Sequence, residues 1–96
     1  MPEVALRPKA CADLDDIWDY TVGTWGYDQA EKYLRNVNGT FQTLAEKPAL
    51  GRIYDAVYPG LRVYPSGRHL IVYFVTAKGI DVVRVLHDRM DIASHL

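Results

Sequence analysis

The sequence predicts an α+β fold, in which an N-terminal strand and an antiparallel helical hairpin pack on one face of a small, mostly antiparallel sheet. Three observations carry this. Residues 69–75, His-Leu-Ile-Val-Tyr-Phe-Val, are a short, largely apolar run of the kind that forms a central strand covered on both faces. Ser66-Gly67 before it and Thr76-Ala77-Lys78-Gly79 after it are glycine-containing turns of the length that joins antiparallel neighbours. Residues 61–64, 68–75 and 80–87 therefore make a three-stranded meander. Upstream, two stretches with apolar spacings of three and four lie only a few residues apart, which folds them back on each other as a helical hairpin.

Taken in order, residues 3–7 alternate weakly and suit a strand added to the side of the sheet. Pro8 can open the next element, because a helix's first turn has no use for the missing amide hydrogen. From Ala10 the residues Leu14, Ile17, Trp18, Thr21 and Trp25 line one helical face, with Asp13, Asp15, Asp16 and Asp19 largely on the other. Gly26 ends this helix, and Asp28 with Glu31 offers a reciprocal cap for the second. Ala30, Tyr33, Leu34, Val37, Phe41 and Leu44 then keep the helical period to Lys47, where Pro48 stops it. Gly39 weakens this helix by about 1 kcal/mol, but the stripe crosses it in phase. A Pro/Gly-rich loop leads to the sheet. After His87 the tail forms one or two helical turns, with Met90, Ala93 and Leu96 inward.

The 96 residues form a single domain, 1–96, with a thin core. No apolar run approaches the ~20 residues of a membrane helix, and the expected location is cytoplasmic. Cys11 is the sole cysteine and is read as a small packing residue, and no Cys/His spacing resembles a metal site. A net charge of -1 argues against direct nucleic-acid binding. The charge is uneven, however. Residues 1–50 carry five Lys/Arg against eight Asp/Glu, and residues 51–96 carry six against four. The basic half is the sheet.

Arg62, Arg68, Arg84 and Arg89 on or beside the meander make a cluster able to grip phosphate or an acidic protein surface. His87 lies among them. The plainer use of any one arginine is pairing with Asp81 or Asp88. No nucleophile or carboxylate stands at a spacing that would make His69, His87 or His95 part of a catalytic triad, so no catalytic residue is assigned. The aspartates of the first helix read as a solvated surface, with Asp13 also favouring the helix dipole. Trp18, Tyr20, Trp25, Tyr27 and Tyr33 read as the packing layer of the hairpin, in a number that also suits a partner surface.

The ordered set Ala12-Asp13-Leu14-x-x-Ile17-Trp18, Trp25-Gly26, Ala30, Tyr33, Phe41, Leu44-Ala45, Pro48, Gly51-Arg52, Gly60-Leu61-Arg62, Gly67-Arg68-His69, Tyr73 and Arg84-Val85-Leu86-His87-x-Arg89 resembles the ParE toxins of the RelE/ParE superfamily. These are the toxin halves of type II toxin–antitoxin, or plasmid stabilisation, systems. The resemblance covers nearly the whole chain. It implies a non-enzymatic protein without cofactor that inhibits DNA gyrase by binding it and forms a hetero-oligomer with a ParD-type antitoxin. The RelE branch instead cleaves messenger RNA on the ribosome. Its two strand lysines fall here at Gly60 and Arg62, its arginine falls at Arg68 or His69, and no tyrosine follows Tyr73. In that alternative reading Arg62, Arg68 and Arg84 would hold phosphates while His87 or His69 protonates the leaving group.

Strand alternation places Leu70, Val72 and Phe74 opposite Ile71, Tyr73 and Val75, with Ile80, Val82 and Leu86 opposing Val83 and Val85 on the next strand. Both faces are apolar, yet one hairpin covers one face. The expected antitoxin surface is therefore Leu61, Leu70, Val72, Phe74, Val82 and Leu86 on the uncovered side.

Overall fold

The computed structural model describes residues 2–96. Strand β1 (Glu3–Leu6) leads into helices α1 (Pro8–Trp25) and α2 (Tyr27–Glu46), followed by a short 3-10 turn (Pro48–Leu50) and strands β2 (Arg52–Ile53), β3 (Arg62–Ser66), β4 (His69–Val75) and β5 (Gly79–His87). A final 3-10 turn covers Ala93–His95. The five strands lie in the order β1-β5-β4-β3-β2. All pairs are antiparallel except β1 with β5, which is parallel. A parallel partner is what the long helical crossover between β1 and the meander permits.

The helices pack together on one face. Ala10 and Ile17 of α1 and Val37, Phe41, Leu44 and Ala45 of α2 share a core cluster with Ile71, Tyr73, Ile80, Val82 and Val85 of the sheet. As expected, Gly39 leaves α2 unbroken. The expected Asp28 cap does not form: α2 starts at Tyr27, the position before it is Gly26, and Asp28 sits inside the first turn with no side-chain capping bond. Cys11, read as a packing residue, is exposed.

The face assignment of β5 needs correction. Val72 pairs with Arg84 but Tyr73 pairs with Val82, so Val83 is an extra residue in a bulge. An inserted residue reverses the alternation beyond it. Val82 and Val85 therefore both face the helices, while Leu86 faces away. Val82 does not lie on the expected antitoxin surface.

That second face is also less open than expected. Leu61, Val63, Val72, Leu86 and Ile92 form a second buried cluster, with Tyr54, Val57, Leu70 and Phe74 packed against it. The loop between β2 and β3 folds back over the sheet, held by Tyr54 N–H to the Leu61 carbonyl at 2.8 Å and Leu61 N–H to the Tyr58 carbonyl at 3.0 Å. The tail contributes Ile92, whereas Met90, Ala93 and Leu96, expected inward, are exposed. Of the six residues expected to meet an antitoxin, only Leu70 and Phe74 retain partial exposure.

Candidate functional site

The turn between β3 and β4 is built around Gly67, whose φ of 58° suits a residue without a side chain. The Tyr33 phenol of α2 occupies the space where a Cβ would stand. Its hydroxyl accepts the Arg68 backbone N–H at 3.0 Å and lies 2.6 Å from His69 Nδ1. The same hydroxyl also lies 3.3 Å from the Ser66 carbonyl, to which it can donate. Thr40 and Ser66 add a hydroxyl pair at 3.1 Å beside it. The helical stripe in which Tyr33 sits gave it only a packing role; nothing in the sequence links it to a histidine 36 residues away.

Strand register then brings a second histidine alongside. His69 pairs with His87 across β4 and β5, and the rings meet edge to face with centroids 5.5 Å apart. Asp88 N–H donates to the Arg68 carbonyl at 2.9 Å, which holds the end of β5 against the turn. His87 Nδ1 accepts the Arg89 N–H at 3.2 Å and stands 3.1 Å from Asp88 Oδ1. Arg68, His69, His87 and Arg89 are thus gathered at one end of the sheet. The side chains of Arg68 and Arg89 are exposed, and neither belongs to an ion pair among the described residues.

The other two arginines of the expected cluster are committed elsewhere. Arg84 donates to Asp13 through Nε and Nη2, both at 2.8 Å, and through Nη1 to the His95 carbonyl at 2.6 Å. Arg62 donates to the Gly51 carbonyl at 2.7 Å. The phosphate grip by Arg62, Arg68 and Arg84 imagined for a ribonuclease therefore does not assemble, because two of its three guanidiniums already hold the chain together. Asp13 is likewise no solvated helix residue.

Burial sets the electrostatics. Desolvation lowers the His69 pKa below the ordinary histidine value, with His87 adding to the shift and Asp88 and Asp13 opposing it. Burial also raises the Tyr33 pKa, against the Arg68 N–H that favours the phenolate. The hydrogen bonds to Asp13 raise the Arg84 pKa. Among the described residues no group of three or more His, Cys, Asp or Glu side chains is placed to hold a metal ion, and no helix is long and apolar enough to cross a membrane. The arrangement sets two guanidiniums that form no ion pair among the described residues beside two imidazoles at one turn, with the Tyr33 hydroxyl bonded to backbone.

Residues 4–92 match the family described as ParE toxin of type II toxin-antitoxin system, parDE. The chain is 48% identical over 92 residues to Toxin ParE1 of Mycobacterium tuberculosis, covering 95% of this chain and 94% of that protein. It is 38% identical over 96 residues to Toxin ParE1 of Caulobacter vibrioides, covering 100% and 99%. Among solved structures, a chain of the chromosomal ParDE TA system from P. aeruginosa superposes with a TM-score of 0.76 at 25% identity, covering 91% of this chain and 96% of that one. A chain of the YoeB-YefM complex from Staphylococcus aureus does so with a TM-score of 0.60 at 15% identity, covering 91% and 97%, a likeness of fold alone.

Proposed function

Since this chain belongs to the ParE toxin family of type II toxin–antitoxin systems, we propose that it acts by binding DNA gyrase and is neutralised by a ParD-type antitoxin. The observation that carries the reading is the family match across residues 4–92. The geometry is compatible with inhibition by binding. Arg68 and Arg89 are exposed at one end of the sheet, just beyond the His69–His87 pair, where an acidic protein surface could meet both guanidiniums.

For the antitoxin, the solved relative from P. aeruginosa is a ParDE system. On this chain the second sheet face leaves Phe74 partly open, with the exposed Tyr58 ring 5.5 Å from it edge to face and the Arg7 guanidinium over it at 5.6 Å from the ring centroid. Leu70 lies on the same face. An amphipathic segment would bury this strip without displacing the core beneath it.

The test is expression in bacteria without antitoxin, followed by DNA-damage signalling and by mapping of message ends, together with a supercoiling assay on purified gyrase. Damage signalling with intact messages and loss of supercoiling is the expected result. Codon-positioned cleavage of messages with gyrase unaffected would replace this reading with the ribosomal one.

A further inference from the structure

Between Ile17 in α1 and Ala30 in α2 no residue is buried. This segment nevertheless holds both tryptophans of the chain, Trp18 and Trp25, and two tyrosines, Tyr20 and Tyr27. Trp25 is 69% exposed and Tyr27 is 62% exposed. The expectation that these aromatics form the packing layer of the hairpin holds for Trp18, half-buried in α1, and Tyr27 of α2, which pack edge to face at 5.3 Å, but not for the exposed Tyr20 and Trp25.

Helix α1 carries two stripes. Ala10, Leu14 and Ile17 repeat at intervals of three and four toward the core. Trp18, Val22 and Trp25 repeat at the same intervals on a neighbouring face, with Asp15, three residues before Trp18, and Asp19, three residues before Val22, along its flank. Asp28 follows Tyr27 at the start of α2. Asp15, Asp19 and Asp28 are exposed, and none enters an ion pair among the described residues.

We infer that this tip is a docking surface for a Lys/Arg-rich segment of a protein partner. Large aromatic rings exposed together and rimmed by carboxylates are the chemistry that receives cationic side chains, since the ring faces attract guanidinium and ammonium groups and the carboxylates pair with them. The same charges repel nucleic acid and anionic lipid headgroups, which removes both as occupants. The surface is the chemical converse of the Arg68 and Arg89 end of the sheet, so a partner suited to one is rejected by the other. The tip is therefore a third surface, separate from the Arg68 and Arg89 end of the sheet and from the apolar strip beside Phe74.

The test uses the purified full chain and a synthetic peptide alternating Arg and Leu, with a peptide of Glu and Leu as control. Binding is followed by calorimetry and by tryptophan emission, which reports on this patch alone because both tryptophans lie in it. Saturable binding of the Arg peptide, loosened by salt, is expected. Its Kd should rise about tenfold in Trp25→Ala and in the triple variant Asp15→Asn/Asp19→Asn/Asp28→Asn, and stay unchanged in Arg68→Ala/Arg89→Ala. The triple variant keeps every aromatic, so it decides the matter should Trp25→Ala alter the hairpin. No saturable binding, equal binding of the Glu peptide, or an unchanged Kd in the triple variant overturns the inference. Self-association abolished by Arg68→Ala/Arg89→Ala also overturns it, by making the occupant a second copy of the chain. Neither gyrase nor antitoxin enters the assay, so this surface and the proposed function stand or fall separately.

Discussion

Asp13 and Arg84, 71 residues apart in sequence, are joined by two charged hydrogen bonds of 2.8 Å. The same carboxylate accepts the Val85 backbone N–H at 2.9 Å, in the part of β5 that lies beyond its pairing with β1. One aspartate thereby satisfies an open strand edge, and one arginine ties α1 to β5 and to the C-terminal turn through the His95 carbonyl. The side chains are 17% and 12% exposed for Arg84 and Asp13, so the pair is largely withdrawn from water.

Breaking such a pair strands a charge. Arg84→Ala is expected to destabilise the fold by about 3 kcal/mol, a large share of the total stability of a domain this size. Arg84→Lys should recover part of it, because a lysine keeps the charge and loses the two-point grip. Urea denaturation of the three proteins checks this, and a midpoint unchanged by Arg84→Ala would show the pair to be ornamental.

Tyr73 is buried in the core cluster, yet its hydroxyl donates to the Pro48 carbonyl at 2.7 Å and accepts the Gly51 N–H at 2.9 Å. A methyl group at Gly51 would collide with the phenol. Tyr73→Phe leaves two backbone groups without their partner and is expected to cost about 1–3 kcal/mol. Gly51→Ala is expected to cost a similar amount by overpacking, about 1–3 kcal/mol. Combining the two should cost somewhat less than the sum of the single effects, because removing the hydroxyl takes away the closest contact, although ring carbons at 2.7 and 2.8 Å still crowd the methyl. A double-mutant cycle on denaturation midpoints tests the coupling.

Stability should also depend on pH through His69. Its folded-state pKa lies below the ordinary 6.5, chiefly from burial. Above that value folded and unfolded chains both leave the ring neutral, and the stability tied to it is complete. As pH falls below it, the unfolded chain takes a proton that the folded one refuses, so stability declines until the folded-state pKa is passed. Denaturation midpoints for the wild type and His69→Gln between pH 7.5 and 5 measure this; the variant should show the shallower decline, and parallel profiles would remove His69 as the cause.

The strand run at 69–75, the two turns and the helical stripes made the architecture legible, because each is a local period or a local punctuation. What was not legible depended on insertion or on distance. The bulge at Val83 moved Val82 and Val85 to one face without any mark in the sequence. The loop over the second face was read as a connector, since its Pro and Gly residues do not announce that Tyr54, Val57 and Tyr58 will pack or stack there. Of the basic cluster, spacing could place four arginines on the sheet but could not say that Asp13 would claim Arg84 or that the Gly51 carbonyl would claim Arg62.

That partition of the arginines sharpens where the toxic surface should be sought. Arg84→Ala would lower toxicity by loosening the fold, which says nothing about contact with a target. Arg68 and Arg89 are exposed and free of ion pairs among the described residues, so their removal leaves the core intact and should change stability by less than about 0.5 kcal/mol each. If the Arg68/Arg89 end meets an acidic surface of gyrase, Arg68→Ala/Arg89→Ala should weaken inhibition of supercoiling about tenfold or more. Its denaturation midpoint should match the wild type, and antitoxin binding should persist through the strip beside Phe74. Phe74→Ala should show the reverse pattern, with antitoxin binding impaired and inhibition retained. Measuring supercoiling, antitoxin affinity and stability on the same three proteins separates the surfaces, and a double arginine variant that inhibits as well as the wild type would place the gyrase contact elsewhere on the chain.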